Sequence, residues 1–516
     1  MNLTSGLHEM EKTNPEQVMT TFGERTLTYG AMSDRVARIA TVLRNYGVDV
    51  GDRVSMLALN SDKYLEFYFS TWWCGAIASP LNTRWSESEL IFAIDDAGCE
   101  LLLVDDNFLH MADSLREKSR TLRNVILFGE NGELSGYSSM EALIQASSTS
   151  SDALRENNDP AVIFYTGGTT GKPKGVVLSH ANIWTAAMSR AAMIETSPKS
   201  VVLHTAPLFH VAATGRMIAH TLIGGSAVIL PSFQPLAVLQ NIEHHSISEL
   251  VLVPSMLQSL IAHPEFSERD TSSVRRISYG GSVIPEDVLD RALLLLPHAE
   301  FIHTYGMTEA PPPITLNPHL NHIGEGRALG RHRSAGRPAR GVQLKITDEH
   351  GCELGARQVG EVVIRGPNVM LGYWGKPEET SEVLRDGWLH TGDGGYLDED
   401  GYLFLVDRLK DMIISGGENV YSAEVENALA QHPCIKTSAV IGVPNAKWGE
   451  GVHAVVVLKP GTTLSLEEIQ GHCKSLIAGY KCPVSIEFRD ELPMSPVGKV
   501  LKTVLREPYW KKTSKQ

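Results

Sequence analysis

The densest chemistry in this 516-residue chain lies in Tyr165-Thr166-Gly167-Gly168-Thr169-Thr170-Gly171-Lys172-Pro173-Lys174-Gly175, set between the apolar runs 161–164 and 176–178. Glycines lack a Cβ and let backbone N–H groups approach phosphate oxygens, while threonine hydroxyls and the two lysines add donors and positive charge. The segment therefore reads as a phosphate cradle. It is not the Walker A loop G-x-x-x-x-G-K-[ST], because Thr166 stands where the first glycine belongs and Pro173 replaces the final hydroxyl residue. A P-loop kinase is thereby disfavoured. A plain Gly/Thr hairpin on the surface is the alternative, but three hydroxyls, four glycines and two lysines in eleven residues are expensive to order without a ligand.

Further along stand His303-Thr304-Tyr305-Gly306-Met307-Thr308-Glu309, Thr391-Gly392-Asp393, the charged run Asp407-Arg408-Leu409-Lys410-Asp411, and Gly498-Lys499. Taken in order with the phosphate cradle, these resemble the AMP-forming adenylating superfamily of acyl-CoA synthetases, luciferases and peptide-synthetase adenylation domains. Tyr305 to Glu309 resembles its Y-G-x-T-E motif, Thr391 to Asp393 its T-G-D motif, 407–426 its hinge region, and Gly498-Lys499 its terminal catalytic lysine. The resemblance spans about 28–507. Within the superfamily, 411–421 and 498–507 look most like fatty acyl-CoA ligases. The resemblance implies a two-step reaction: ATP and a carboxylic acid give acyl-AMP and pyrophosphate, then CoA gives acyl-CoA and AMP, with Mg2+ as the metal.

Residue chemistry supports roles beside the analogy. The Tyr305 ring is suited to stack on adenine, and the Glu309 carboxylate to hold Mg2+, a hard cation that favours oxygen ligands and substrate phosphates. Asp393 offers two acceptor oxygens to the ribose hydroxyls, although as a bare sequence it also reads as a turn residue before Gly394-Gly395. Arg408 either contacts ribose or phosphate or pairs with Asp407 or Asp411. Lys499 follows a Pro/Gly-rich loop able to reach another domain, where an ammonium stabilises charge developing on the carboxylate and the α-phosphorus. Lys410 sits where the family's hinge lies, and a hinge supplies the two arrangements that a two-step reaction needs. Ser415-Gly416-Gly417-Glu418 would then lie near the adenylate, leaving room for the pantetheine arm of CoA. The nucleotide set is Thr166, Gly167, Gly168, Thr169, Thr170, Gly171, Lys174, Gly281, Ser282, Tyr305, Gly306, Met307, Thr308, Glu309, Asp393, Arg408 and Lys499.

His210, in Pro207-Leu208-Phe209-His210-Val211, matches the family position beside the acyl carboxylate; a histidine among apolar neighbours also reads as a core residue. The acid-selecting pocket is expected from Val211, Gly215, Val253, Ser255, Gly280, Gly281 and Met307. Here Ser282-Val283 replaces the family's usual Ala-Pro after the paired glycines. No basic residue stands at these positions, which favours an apolar chain or ring over an amino acid or a dicarboxylate. A fatty acid leads. The alternatives are an aryl or cyclic acid, transfer to a carrier protein instead of CoA, and a non-catalytic nucleotide or acyl-AMP sensor.

These residues need a scaffold. Strand-length apolar runs at 53–59, 101–104, 124–128, 226–230 and 249–253 alternate with helical windows such as Val36, Ile39, Val42 and Leu43, the rhythm of α/β layers with parallel strands. After about 333, runs at 343–346 and 360–365 are punctuated by Gly, Pro and Asp, which predicts a β-rich subdomain. The division expected is 1–409, a large adenylating domain of layered α/β subdomains, and 410–516, a small mobile α+β domain.

Composition bounds the rest. The chain is 42% hydrophobic and 21% charged, with 46 basic against 60 acidic side chains for a net charge of -14, which argues against a nucleic-acid footprint. Six scattered cysteines without a CxxC pair suit a reducing cytoplasm. The first residues carry neither a basic nor an apolar export signal. No transmembrane segment is expected, peripheral membrane contact stays open, and a homodimer is one arrangement the sequence leaves undecided.

Overall fold

Two largely parallel sheets grow from the alternating strand and helix pattern. The computed structural model describes residues 1–129, 136–166, 173–282, 284–408, 411–415, 418–445, 447–495 and 500–513. One eight-stranded sheet runs Gly372–Tyr373, Lys174–Ser179, Pro160–Thr166, Ile77–Pro80, Arg53–Leu57, Leu101–Val104, Asn124–Leu127 and Ser138–Ser139. Its first two strands are antiparallel to their neighbours and the rest are parallel. A nine-stranded sheet runs Arg337–Pro338, Ala310–Asn317, Glu300–Met307, Arg276–Gly280, Glu249–Leu252, Val201–His204, Ser226–Ile229, Val18–Phe22 and Arg25–Thr28. Its six central strands, from Glu300–Met307 to Val18–Phe22, are parallel.

The helix Lys63–Cys74 is buried at every position, and its two charges are paired, Lys63 with Glu141 at 3.1 Å and Glu66 with Arg35 at 2.5 Å, as buried charges must be. It ties the two sheets together: the Trp72 indole donates to the Ala161 carbonyl at 2.8 Å and the Tyr68 hydroxyl to the Leu208 carbonyl at 2.8 Å. Asn60 clamps the start of the 207–210 loop, donating to Ala206 O and accepting from Leu208 N. The helix His180–Met193 begins with a capping box in which Ser179 and Asn182 exchange side-chain and backbone hydrogen bonds, satisfying N–H groups the first turn leaves open.

The expected β-rich region is a wholly antiparallel five-stranded sheet. It joins Gln343–Thr347, Gly360–Arg365, Trp388–Leu397 and Leu384–Arg385, with Leu403–Arg408 on the far side of Trp388–Leu397. The last hundred residues form their own sheet from Glu418–Val420, Ile413–Ser415, Gly449–Leu458, Ile435–Asn445 and Ser485–Phe488. The helices Ser422–Ala430 and Leu466–Lys474 close one core there around Val425, Leu429 and Ile469, and Lys502–Thr513 closes another around Ala439, Val455 and Leu505. The architecture is thus a large layered α/β domain followed by a small α+β one. Among the described residues no helix is long and apolar enough to cross a membrane.

Candidate active site

The strands Pro160–Thr166 and Lys174–Ser179 pair antiparallel with Thr166 opposite Lys174. Gly167, Gly168, Thr169, Thr170 and Gly171, between them, lie outside the described residues. Lys174 Nζ stands 2.6 Å from the Glu379 carboxylate and 5.1 Å from the centre of the Tyr373 ring. The hydrogen bond from Lys174 holds the Glu379 carboxyl below its usual range.

Tyr373 reaches this place because Gly372–Tyr373 adds an edge to the sheet, with Tyr373 opposite Val176. From there its hydroxyl donates to Glu309 Oε1 at 2.9 Å, and Met370 N donates to the Glu309 carbonyl at 2.9 Å. Glu309 belongs to the other sheet, in the Thr308-Glu309 turn between Glu300–Met307 and Ala310–Asn317, where Met307 faces Ala310. One carboxylate held in a fixed orientation suits Mg2+, which keeps several waters and takes its remaining oxygens from substrate phosphates. Among the described residues no group of three or more His, Cys, Asp or Glu side chains gathers to hold a metal alone.

Four residues before Glu309, the Tyr305 hydroxyl donates to Asp393 Oδ2 at 2.6 Å, and both residues are 8% exposed. Asp393 is part of the ten-residue strand Trp388–Leu397, backbone to backbone with Arg408, and the turn reading before Gly394-Gly395 gives way to a strand with a register shift between those glycines. Its setting is tightly built. Thr391 Oγ1 donates to Val362 O at 2.6 Å and accepts from Asp393 N at 3.1 Å, and Gly392 N donates to Glu361, whose other oxygen contacts His390 at 2.7 Å. Tyr305 and Asp393, 88 residues apart in sequence, thus form one buried unit where the nine-stranded sheet meets the antiparallel one.

The residues expected to line the acid pocket lie at strand ends of the nine-stranded sheet and on the adjoining helices. His210 caps the helix Val211–Ile223 from its β-region backbone, its ring 4.6 Å from that of Phe209. Val211 is buried and so is Gly215. A Cβ built on Gly215 meets nothing within 4 Å, so a void borders that helix. Gly280 ends Arg276–Gly280, and a Cβ there would lie 2.3 Å from the Thr304 carbonyl, so only glycine lets the two backbones approach. Gly281 follows with φ +85°, and Ser282 and Ser255 are exposed. Gly306, Met307 and Val253 are partly buried. Ser415 pairs with Glu418 across a hairpin. Lys410, Gly416, Gly417 and Lys499, and the side chain of Arg408, lie outside the described residues.

Comparisons with known proteins give the family of the chain. The model of the AMP-binding enzymes matches residues 7–374 and that of the AMP-binding enzyme C-terminal domain matches residues 424–499. The chain belongs to the AMP-binding enzyme family. A feruloyl-CoA synthase of an Amycolatopsis species is 39% identical over 501 residues, covering 96% of this chain and 96% of that one. A fatty acid–[acyl-carrier-protein] ligase, ScoC, of Streptomyces coeruleorubidus is 34% identical, covering 94% of this chain and 92% of that one. The solved structure of an anthranilate CoA ligase, AuaEII, with anthranoyl-AMP matches at a TM-score of 0.90 and 27% identity, covering 100% of this chain and 98% of that one.

Three residues of this AMP-binding enzyme escaped the sequence reading. Tyr373 orients Glu309 and Glu379 holds Lys174, each by long-range pairing that no local string announces. Arg190, on His180–Met193, is 6% exposed and donates to Ser278 Oγ at 2.7 Å. A signal for it existed: Arg190 falls at helical spacing with Ile183, Ala186, Ala187 and Ile194, on an otherwise apolar stripe.

Proposed function

We propose that this chain is an AMP-forming acid:CoA ligase whose acid carries an aromatic ring. As an acid–thiol ligase of its family it uses ATP, Mg2+ and CoA. The observation that supports the reading is the Tyr305–Asp393 hydrogen bond beside Glu309, which joins an aromatic ring to a carboxylate where the antiparallel sheet meets the nine-stranded one, an open α/β sheet of the kind that binds nucleotides beyond its strand ends. In this reading Tyr305 stacks on adenine, Asp393 and Arg408 hold the ribose, and Glu309 holds Mg2+ on the phosphates. Thr166, Gly167, Gly168, Thr169, Thr170, Gly171 and Lys174 cradle the departing pyrophosphate, with Gly281 and Ser282 beside the α-phosphate. Lys499 stabilises the charge of adenylate formation, and rotation about Lys410 then brings Ser415, Gly416, Gly417 and Glu418 to the CoA arm. The domain boundary falls at that hinge. His210 lies at the acid's carboxylate.

The aromatic acid is favoured by the 39% identity to a feruloyl-CoA synthase against 34% to a fatty acid ligase, and by the void at Gly215, which leaves width beside the helix. A fatty acid is the second reading, supported by the resemblance of 411–421 and 498–507 to fatty acyl-CoA ligases. Acid-dependent exchange of pyrophosphate into ATP separates them. Faster exchange with aryl acids than with chains of equal carbon number is expected, and the reverse order would replace the aromatic reading with the fatty one.

A further inference from the structure

Beneath the acyl residues the nine-stranded sheet carries a charged layer that the nucleotide chemistry does not use. Register sets Val202, Glu249, Arg276 and Glu300 side by side on adjacent strands, with Ser278 and then Gly280 two and four residues further along Arg276–Gly280. Side chains two apart share a face, so Ser278 lies directly below Gly280, about 7 Å along the strand. Tyr279, between them, packs on the opposite face with Leu257 and Leu289. The Ser278 face meets the helices that carry Arg190 and Arg216.

Arg190 is the exceptional group. Its guanidinium has Ser278 Oγ as its partner, and among the described residues no carboxylate comes within ion-pair distance. Glu249 is engaged by Arg216 at 3.4 Å and Arg276 at 3.1 Å, and Glu300 by Arg276 at 3.2 Å. Three guanidinium groups therefore face two carboxylates in the layer. Among the described residues Arg216 Nη2 also meets no hydrogen-bond partner. Burial pushes the Arg190 guanidinium down to about 10. A buried guanidinium with donors to spare is costly to the fold unless an acceptor meets it.

Space for that acceptor lies on the same face. Val251, in the central strand Glu249–Leu252, is partly exposed where a doubly covered strand should be sealed, and Gly215, beside Arg216, borders a void. We propose that the acyl cavity extends from Gly280 down to the Arg190–Ser278 pair, and that this pair selects acids bearing an oxygen acceptor, a hydroxyl or ether, at the end far from the reacting carboxylate. The inference deepens the ligase reading and rests on it, but concerns the substituent and not the skeleton.

The test uses matched pairs on both skeletons: cinnamate with 4-hydroxycinnamate, and octanoate with 8-hydroxyoctanoate, assayed for CoA-ester formation by the full-length chain. On whichever skeleton is turned over, the oxygenated acid is expected to have a kcat/KM at least about tenfold higher, because a site built to donate a hydrogen bond rejects the analogue that lacks it. Arg190→Met should bring the ratio to within about threefold of one, the larger loss falling on the oxygenated acid, and Ser278→Ala, a smaller perturbation of the fold, should narrow the same ratio. A ratio near one in the wild type, or an equal loss on both members of a pair in the variants, would overturn the inference and leave Arg190 a structural residue. Turnover of the chain pair alone would instead overturn the aromatic reading, with the substituent ratio still readable. No turnover of either pair would overturn the ligase assignment for these acids and the inference with it.

Discussion

Replacing Tyr305 by phenylalanine removes one oxygen from the buried Tyr305–Asp393 unit of the proposed nucleotide site. That hydroxyl lies 2.6 Å from a carboxylate oxygen of Asp393, with both residues 8% exposed. A hydrogen bond to a charged group contributes about 1.5–3 kcal/mol, or about 10- to 150-fold at about 1.4 kcal/mol per decade. If Asp393 accepts the ribose hydroxyls, losing the donor that orients it lowers kcat/KM for ATP by about that factor, mostly through KM, in pyrophosphate exchange at saturating acid. Tyr279→Phe is the matched control. That hydroxyl lies 2.7 Å from His322 Nε2 on the far face of the same sheet, so its loss should cost about 1–3 kcal/mol of stability and leave KM for ATP unchanged. Equal melting losses in the two variants with unchanged KM for ATP in Tyr305→Phe would refute the argument and reduce the Tyr305–Asp393 pair to a structural contact.

Three further expectations follow from the geometry. Glu309→Gln keeps an acceptor for the Tyr373 hydroxyl but removes the negative charge, so the Mg2+ concentration for half-maximal rate should rise about tenfold or more with little change in melting temperature; an unchanged Mg2+ titration would take the metal away from Glu309. Gly215→Leu fills the void beside Val211–Ile223, so ring-bearing acids should lose about 10- to 200-fold in kcat/KM while KM for ATP holds, and equal activity on all acids would place the pocket elsewhere. Burial holds His180 and His220 near about 4 and His204 and His322 near about 3. The unfolded chain takes up these protons below about 6.5 and the native chain does not, so stability falls with pH from about 6.5 towards 4, by up to about 1.4 kcal/mol per unit for each imidazole. Melting temperature should drop between pH 7 and 5, less steeply in His322→Gln, and a flat profile would contradict the buried neutral state.

What the sequence made legible was local. The glycine-rich segment, Tyr305 to Glu309 and Thr391 to Asp393 each carry their chemistry within a few residues, and the strand and helix rhythm of the two parallel sheets is written in apolar spacing. What stayed hidden depends on register between distant strands. Tyr373 finds Glu309 across 64 residues, and Arg190 finds Ser278 across 88; the apolar stripe around Arg190 marks it as buried, but no local string names either partner. Asp393 shows tertiary structure overriding a local signal. The glycines after it suggest a turn, yet strands on both sides hold the backbone extended and absorb the irregularity as a register shift. The absence of basic residues from the acyl positions is real at those positions, and the charge stands one row deeper, contributed by a helix whose alanines gave it no prominence.

The central claim is two-step ligation, and product identification tests it most directly. The chain is incubated with ATP, Mg2+ and an aryl acid, with and without CoA, beside Lys499→Ala, and products are read by mass spectrometry. The account predicts AMP and acyl-CoA when CoA is present, acyl-AMP and pyrophosphate without it, and loss of adenylate formation in Lys499→Ala. Adenylate that accumulates in the presence of CoA with no thioester formed would contradict it and direct the acyl group to another acceptor.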